Sequence, residues 1–328
     1  MPSPIVTIFG GSGFIGRYVA RRMARAGWRV RVAVRRPNEA LFVRTYGVVG
    51  QVEPVQANVR DEDSTRRAIA GATAVVNCVG IMVENGRQTF DAVQDEGAAR
   101  IARLAAEAGA TRFVHVSAIG ADPNGDSLYA RSKAAGEAAV LAAFPKAVIL
   151  RPSIIFGVED QFFNRFGRMA RLSPVVPIVS PDTRFQPVYV DDVAAAAEAA
   201  ARGEAAPGIY ELGGPDTATF RELMERMLGI IRRRRLLVTV PTRVAALQGS
   251  VLDFVQRISF GAFVNEMLTR DQVRLLAHDN VVAPGARGLA DLGVEPTAMA
   301  AILESYLYPY RPGGQYAEIK DSAAQLRG

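Results

Sequence analysis

The stretch IVTIFGGSGFIGRYV, residues 5–19, is the part of the sequence that indicates the fold. A β-branched apolar run leads into Gly10, Gly13 and Gly16, and a helical stretch begins at Phe14. Glycines at this spacing allow a tight turn with close backbone approach, and the helix start offers free N–H groups and a positive dipole to a pyrophosphate. The spacing alone is a weak signal, but its place directly after the first predicted strand indicates a dinucleotide-binding βαβ unit.

The first 150 residues continue this alternation of short apolar runs and Ala/Arg-rich helical stretches. Runs that are apolar throughout are typical of parallel strands covered by helices on both faces. We therefore predict an α/β fold with a doubly wound, Rossmann-type parallel sheet. The predicted strands are Ile5–Phe9, Arg29–Val34, Val52–Gln56, Ala74–Val79, Arg112–Ser117 and Ala147–Leu150, and the predicted helices lie near 14–26, 38–46, 62–70, 91–109 and 127–143.

Beyond residue 150 the alternation breaks, and prolines mark irregular connections. We expect residues 1–157 to form the dinucleotide-binding domain, with its sheet completed within 183–215. Residues 158–328 are expected to form a smaller α/β region, in which 232–328 is the interface with a partner or a membrane surface.

Composition excludes several classes of protein. The chain has 328 residues, one Cys and two His, which rules out a disulfide framework and leaves too few ligands for a zinc site, so we predict no metal. The net charge of +6 suits anionic surfaces, but no basic stripe with interleaved aromatic residues indicates nucleic acid. No apolar run reaches the ~18 residues of a membrane span, and the sequence starts without a readable leader. We therefore expect the chain to be either cytoplasmic or already processed.

The end of the second predicted strand bears on the choice of nucleotide. An NAD site usually places an acidic residue there, whereas a guanidinium accepts the 2′-phosphate of NADP. The strand ends in Arg35 and Arg36, and Arg17 lies on the first turn of the preceding helix. These residues favour NADPH, with NADH still open, and a solvated basic turn would explain the same arginines without a ligand.

Tyr129 and Lys133 form a Tyr-x-x-x-Lys pair within SLYARSKAAGE, residues 127–137. Four residues apart on a helix, they share one face. An ammonium group beside a phenol is expected to lower the pKa of the phenol and make it a general acid/base for hydride chemistry. The alternative is that both residues only bind the cofactor, Lys133 through the ribose hydroxyls.

The order and spacing of six segments resemble extended and atypical short-chain dehydrogenase/reductases: GGSGFIG, VVNCVG, HVSAIGAD, YARSK, RPSIIFG and QPVYVDDVA. The resemblance implies roles at the pyrophosphate for the glycine loop and at adenine for Asn58 and Val59. It implies roles along the ribose for Cys78, Val79 and Gly80, and near nicotinamide for Pro152 and Ile154. The cofactor-binding residues expected from the motifs and the resemblance are Gly10, Ser12, Gly13, Phe14, Ile15, Gly16, Arg17, Arg35, Arg36, Asn58, Val59, Cys78, Val79, Gly80, Ser117, Tyr129, Lys133, Pro152 and Ile154.

One position departs from that superfamily. Active members place a Ser or Thr two residues after the first Ser of the fifth-strand motif, and Ile119 stands there in this sequence. Without a hydroxyl to orient a substrate carbonyl, proton transfer from Tyr129 would be poorly placed. Efficient reductase or epimerase chemistry is therefore not expected, and Tyr129 and Lys133 are the catalytic candidates only if the chain is active.

A narrower resemblance covers nearly the whole chain. AFPKAVILRPSIIFGVEDQFFNRF, RRRRLLVTVP, TRDQVRLLAHDNVV and LESYLYPYRPGGQY are similar to the nucleotide-binding accessory subunits of respiratory complex I, including bacterial forms. The resemblance implies a bound NADPH kept for structural or regulatory reasons. It also implies other complex I subunits as partners near the quinone-binding module, at the cytoplasmic face of a bacterial inner membrane.

Arg232–Arg235 place four guanidinium groups in succession ahead of an apolar stretch. Such a run is commonly a solvated helix end. The alternative is contact with an acidic subunit or with anionic lipid, where each basic residue contributes about 1 kcal/mol. Further apolar residues recur at helical spacing, as either core or a surface stripe: Leu247, Val251, Phe254, Val255 and Ile258.

Three functional hypotheses follow. The first is a non-catalytic, NADPH-binding accessory subunit of the proton-pumping NADH:quinone oxidoreductase. The second is a free soluble NADP-dependent reductase or sugar-nucleotide epimerase that uses Tyr129 and Lys133. The third is a redox-sensing module that reports NADPH levels to a partner.

Overall fold

The computed structural model describes residues 3–247, 250 and 269–314. Its strands are β1 (Ile5–Phe9), β2 (Arg29–Val34), β3 (Val52–Gln56), β4 (Ala74–Asn77), β5 (Arg112–Val116), β6 (Val148–Pro152), β7 (Ile155–Phe156), β8 (Val175–Ile178), β9 (Arg184–Phe185), β10 (Val188–Tyr189), β11 (Gly208–Leu212), β12 (Ala218–Thr219) and β13 (Leu236–Thr239). Its α-helices are α1 (Phe14–Arg25), α2 (Glu62–Ile69), α3 (Glu96–Glu107), α4 (Leu128–Ala143), α5 (Phe163–Leu172), α6 (Val190–Arg202), α7 (Phe220–Ile230), α8 (Arg270–Leu275) and α9 (Met299–Leu307).

The main sheet has seven parallel strands in the order β11-β6-β5-β4-β1-β2-β3. Strand β1 lies between β4 and β2, so the chain builds the sheet outward in both directions from its first strand. This confirms the predicted α/β fold of Rossmann type. The six predicted strands of the first 150 residues all form, with small shifts at their ends.

Helices cover both faces of this sheet, as the apolar strands predicted. On one face α1 packs with the Ala-rich α6, where small side chains such as Ala196 and Ala197 allow close packing in the core. On the other face α2, α3 and α4 bury residues such as Ile69, Ile101 and Val140 against the strands. The result is a three-layer arrangement with a core on each side of the sheet.

The second half of the chain builds a further core beside the sheet. Helices α5, α7 and α9 bury Phe163, Phe220 and Leu303 in one cluster. Three two-stranded pairs, β7 with β10, β9 with β12 and β8 with β13, frame this cluster. This region therefore packs around its own apolar core.

Two predicted helices take other forms. The stretch predicted as a helix at 38–46 is a 3₁₀-helix over Pro37–Tyr46, which begins at a proline. The helix predicted at 91–109 begins with a π-helical turn, Asp91–Asp95, before α3. Wide turns of this kind redirect side chains and occur frequently at functional sites.

Within residues 3–247 and 269–314, no helix combines the length and apolar character that crossing a bilayer requires. The predicted apolar stripe at Val251, Phe254, Val255 and Ile258 lies outside the described residues, as does the chain after residue 314. Leu247 is described and its side chain is exposed.

Candidate functional site

The candidate site lies at the carboxyl edge of the parallel sheet. The strand order reverses between β1 and β4, and a crevice opens at such a switch point, where α/β sheets bind their ligands. The loops that follow β1, β2, β4, β5 and β6 all meet at this edge. Most of the predicted cofactor-binding residues therefore lie in loops at the carboxyl edge of the sheet.

The glycine loop after β1 has the geometry that a pyrophosphate requires. Gly10 has a φ of +72°, and its carbonyl accepts a hydrogen bond of 2.9 Å from the N–H of Gly13. A Cβ on Gly16 would lie 2.3 Å from the Gly10 carbonyl oxygen, so only glycine allows the helix to approach the loop this closely.

Helix α1 begins directly after this loop. Gly13 is its N-cap, and no side chain caps the helix within the described residues. The N–H groups of the first turn are therefore available to an anion, next to Ser12, Phe14 and Ile15.

The three arginines predicted near the nucleotide differ in their surroundings. Arg17 bonds the Ser12 carbonyl at 3.1 Å and Glu159 at 3.0 Å, so its guanidinium group is turned along α1. Arg35 and Arg36 follow β2 and are exposed. Arg35 donates to the Gln88 side chain and Arg36 pairs with Glu39 on the surface. A surface ion pair such as Arg36–Glu39 contributes little to stability.

Asn58 and Val59 follow β3, at the far side of the same edge. The Asn58 side chain accepts a hydrogen bond of 3.1 Å from the N–H of Arg60, which folds the amide onto its own loop. Val59 lies over α3, where it approaches Gly97, and both residues are half-buried.

Cys78, Val79 and Gly80 follow β4 and pass directly in front of the glycine loop. The Asn77 side chain holds the N–H of Val79 at 3.0 Å, and a Cβ on Gly10 would lie 3.1 Å from the Cys78 carbonyl oxygen. Burial raises the pKa of the Cys78 thiol to about 12, so the thiol is protonated at neutral pH.

Tyr129 and Lys133 share the face of α4 that is turned to the site. The Lys133 ammonium lies 5.9 Å from the centre of the Tyr129 ring and 3.3 Å from the Val116 carbonyl oxygen. Burial lowers the pKa of Lys133 to about 8 and raises the pKa of Tyr129 to about 12. The expectation that the ammonium lowers the phenol's pKa is wrong, because removing the phenol from water outweighs a charge at this distance.

Three buried polar atoms around Lys133 have no hydrogen-bond partner within the described residues: Gln94 Oε1, Ser117 Oγ and His115 Nε2. Gln94 was missed by sequence reasoning, and the π-helical turn that directs it inward has no simple sequence signal. Its amide nitrogen bonds Ser132 and the Ile81 carbonyl, while a Cβ on Gly80 would lie 3.8 Å from its oxygen. Because a buried unpaired polar atom is costly, these atoms fit a polar ligand at this point.

The loops after β5 and β6 are joined directly. The N–H of Ile119 donates to the Pro152 carbonyl at 3.0 Å, and the Ile119 side chain is buried. Ile154 follows Pro152 and is half-buried at the same edge. An apolar side chain therefore occupies the position of the expected hydroxyl.

Two further residues reach this edge from the distant segment 269–282, and the motifs did not predict them. Asp271 accepts hydrogen bonds from the start of α4, and Asn280 contacts the loops after β5 and β6. More than 140 residues separate Asp271 from its partners, so local sequence patterns carry no signal of the contact.

Arg232–Arg235 lie away from this edge, between α7 and β13. Arg233 donates to the Tyr310 carbonyl at 2.6 Å, and Arg235 donates to the Ala170 carbonyl at 2.7 Å. Burial, Arg235 and Arg171 lower the pKa of Arg233, which reflects the density of positive charge here. Leu172 and Leu236 are 81% and 64% exposed beside these arginines, so the surface combines positive charge with exposed apolar side chains.

The glycine cradle, the free helix start and the unpaired polar atoms together fit a bound dinucleotide. A sequence profile described as the NAD dependent epimerase/dehydratase family matches residues 6–213. The chain therefore belongs to the NAD-dependent epimerase/dehydratase family.

Two individual proteins are similar to this chain over most of its length. The chain is 35% identical over 316 residues to the mitochondrial NADH dehydrogenase [ubiquinone] 1 alpha subcomplex subunit 9 of Arabidopsis thaliana, an alignment that covers 94% of this chain and 79% of the relative. It is also 34% identical over 251 residues to the ceramide reductase of Caulobacter vibrioides, covering 76% of this chain and 77% of that enzyme.

A solved structure supports the fold over a similar length. The NADPH-dependent quinone oxidoreductase of Escherichia coli, solved with NADPH, superimposes with a TM-score of 0.70 at 16% identity. The match covers 92% of this chain and 98% of that enzyme. At this identity the likeness concerns the fold.

Proposed function

We propose that this chain is a nucleotide-binding accessory subunit of respiratory complex I, the proton-pumping NADH:quinone oxidoreductase. The observation that carries the proposal is the similarity to a complex I subunit over 94% of the chain. That similarity continues beyond residues 6–213, the part that the family profile matches. In this proposal residues 1–157 and 183–215 hold the nucleotide, and 232–328 contact other subunits near the quinone-binding module.

The proposed nucleotide is NADPH. This choice is supported by Arg35 and Arg36, which follow β2, where NADP sites place a guanidinium for the 2′-phosphate, and which make only exposed contacts, to Gln88 and Glu39. Lys133 would bind ribose hydroxyls, and Gln94 and Ser117 would gain partners for their unpaired oxygens. The nicotinamide ring supplies hydride chemistry when it is bound. The residues named here bind and orient the nucleotide.

The proposed role of the nucleotide is structural or regulatory. Ile119 offers no hydroxyl to a substrate carbonyl, and burial makes Tyr129 a weaker acid than an ordinary tyrosine. A site that binds the dinucleotide tightly but orients no substrate stabilises the folded sheet through binding alone.

The second candidate function is a soluble NADP-dependent reductase or epimerase. Tyr129 and Lys133 share one face of α4, and the similarity to a ceramide reductase favours this candidate. A reductase predicts substrate-dependent NADPH oxidation, whereas an epimerase predicts interconversion of two sugar-nucleotide epimers with no net change of the nucleotide. Tyr129→Phe should abolish either activity. If the wild-type chain neither oxidises NADPH with carbonyl substrates nor epimerises sugar nucleotides, as followed by chromatography of the products, this candidate fails.

The proposed location is the cytoplasmic face of a bacterial inner membrane, where Arg232–Arg235 meet anionic headgroups. Replacing Arg232 and Arg234 with Gln should weaken binding to phosphatidylglycerol vesicles by roughly 30-fold, at about 1 kcal/mol for each arginine. A matched control replaces the exposed Arg25 and Arg29 and should bind as the wild type does. Equal flotation of both variants with the vesicles would contradict the lipid contact.

The test of the complex I proposal is affinity purification of the tagged full-length chain from its native membranes in mild detergent. We expect subunits of the NADH:quinone oxidoreductase to copurify with it. Recovery of the chain as a lone soluble protein would contradict the proposal and direct the work to the substrate screen.

A further inference from the structure

The segment 269–282 fixes the start of the helix that carries Tyr129 and Lys133. Thr269 and Gln272 form a capping box that defines the beginning of α8. On the first turn of α8, the Asp271 carboxylate accepts three hydrogen bonds: from Ser127 Oγ at 2.9 Å, the N–H of Leu128 at 2.7 Å and the N–H of Tyr129 at 3.0 Å.

These bonds complete the N-terminus of α4. Ser127 already caps the helix by accepting from the N–H of Ala130 at 3.2 Å, and the Asp271 carboxylate satisfies two further first-turn N–H groups. A negative charge at a helix N-terminus is also stabilised by the helix dipole. The position of the Tyr129 backbone is therefore set by a residue from the other half of the chain.

Asn280, at the other end of the same segment, joins two loops of the site. Its side-chain oxygen accepts from Ser153 Oγ at 2.7 Å and from the N–H of Ile154 at 3.1 Å. Its side-chain nitrogen donates to the Ile119 carbonyl at 3.3 Å. One amide thus holds the loop after β5 against the loop after β6.

We propose that Asp271 and Asn280 are positioning residues of the nucleotide site. They act through α4 and the two loops, and the inference rests on the nucleotide binding proposed above. Both residues lie outside residues 6–213, so the positioning comes from a part of the chain that the family profile does not cover. Because binding linkage is reciprocal, a bound nucleotide must also tighten the packing of 269–282 on the sheet domain.

The test uses the full-length chain with Asp271→Asn and Asn280→Ala, freed of nucleotide and titrated with NADPH. Binding and the emission maximum of bound NADPH are followed by fluorescence, and thermal unfolding of each nucleotide-free variant is recorded alongside. Asp271→Asn should raise the Kd about 10-fold by weakening charge-assisted bonds, and both variants should shift the emission of the bound nicotinamide. Asp182→Asn removes an exposed carboxylate as the matched control and should change neither quantity.

The outcomes separate this inference from the proposed function. A wild-type chain that binds neither NADPH nor NADH overturns both. Wild-type binding with the same Kd and emission in both variants overturns the positioning role alone, even where thermal stability falls. If Asp271→Asn does not fold, Ser127→Ala removes one of the same hydrogen bonds and should give a smaller change in Kd and emission.

Discussion

Lys133 shows at the scale of single residues how burial sets chemistry. Its ammonium group is buried beside the Val116 carbonyl and a tyrosine ring, and its pKa falls to about 8. Tyr129 and Lys133 share one face of α4, as their spacing predicted, but burial raises the pKa of Tyr129 instead of lowering it. That direction depends on how completely the fold removes the phenol from water, which residue spacing does not encode.

The first prediction concerns how the free energy of unfolding depends on pH in the wild type and in the Lys133→Met variant. The pKa of Lys133 is about 8 in the folded chain against an ordinary value of 10.5. Between these values the unfolded chain holds a proton that the folded chain has released, so this lysine's contribution to the free energy of unfolding rises with pH. Urea unfolding of the nucleotide-free chain should therefore show the wild type gaining stability relative to the variant from pH 8 to pH 10. A difference that stays flat or falls would contradict the burial of a charged amine.

The second prediction concerns the role of Arg35 and Arg36 in distinguishing NADPH from NADH. Replacing both with Ala should raise the Kd for NADPH by roughly 100-fold or more, since each charge-assisted bond to a phosphate contributes about 1.5–3 kcal/mol. NADH lacks the 2′-phosphate and should bind as before in the same fluorescence titration. Arg44→Ala, at an exposed arginine nearby, is the control. An equal loss for both nucleotides would refute recognition of the 2′-phosphate.

At the scale of elements, the glycine loop and α1 form a unit whose close packing could be predicted from the sequence. Gly10, Gly13 and Gly16 lie as the motif indicated, and the strands of the first half follow from their apolar runs. The π-helical turn at Asp91–Asp95 could not be predicted in this way. A single wide turn is too short to change the spacing of apolar residues from that of an α-helix. Gln94 was missed for that reason.

Gly16→Ala gives the third prediction. Its Cβ would lie 2.3 Å from the Gly10 carbonyl oxygen, so the loop and α1 must separate. We expect a loss of about 1–3 kcal/mol in the free energy of unfolding, measured in urea, together with weaker NADPH binding. Gly229→Ala is the control, because a Cβ there has no neighbour within 4 Å in the described structure and should leave stability equal or slightly higher. Equal effects of the two substitutions would contradict the close approach.

At the scale of the whole molecule, two halves of the chain build one site. The sequence indicated the sheet domain and its edge, but Asp271 and Asn280 reach that edge across more than 120 residues of chain. Such contacts arise only when the second core packs beside the sheet, and no local pattern records that packing. The proposed role in complex I also depends on the whole chain, since the similarity to the complex I subunit extends through both halves.

The most direct test of the central claim is the nucleotide content of the purified assembly before and after turnover with NADH and quinone. We predict one NADPH for each copy of the chain, retained through purification and still reduced after many turnovers. Nucleotide that is absent, or that becomes oxidised as quinone is reduced, would contradict a resident structural or regulatory NADPH.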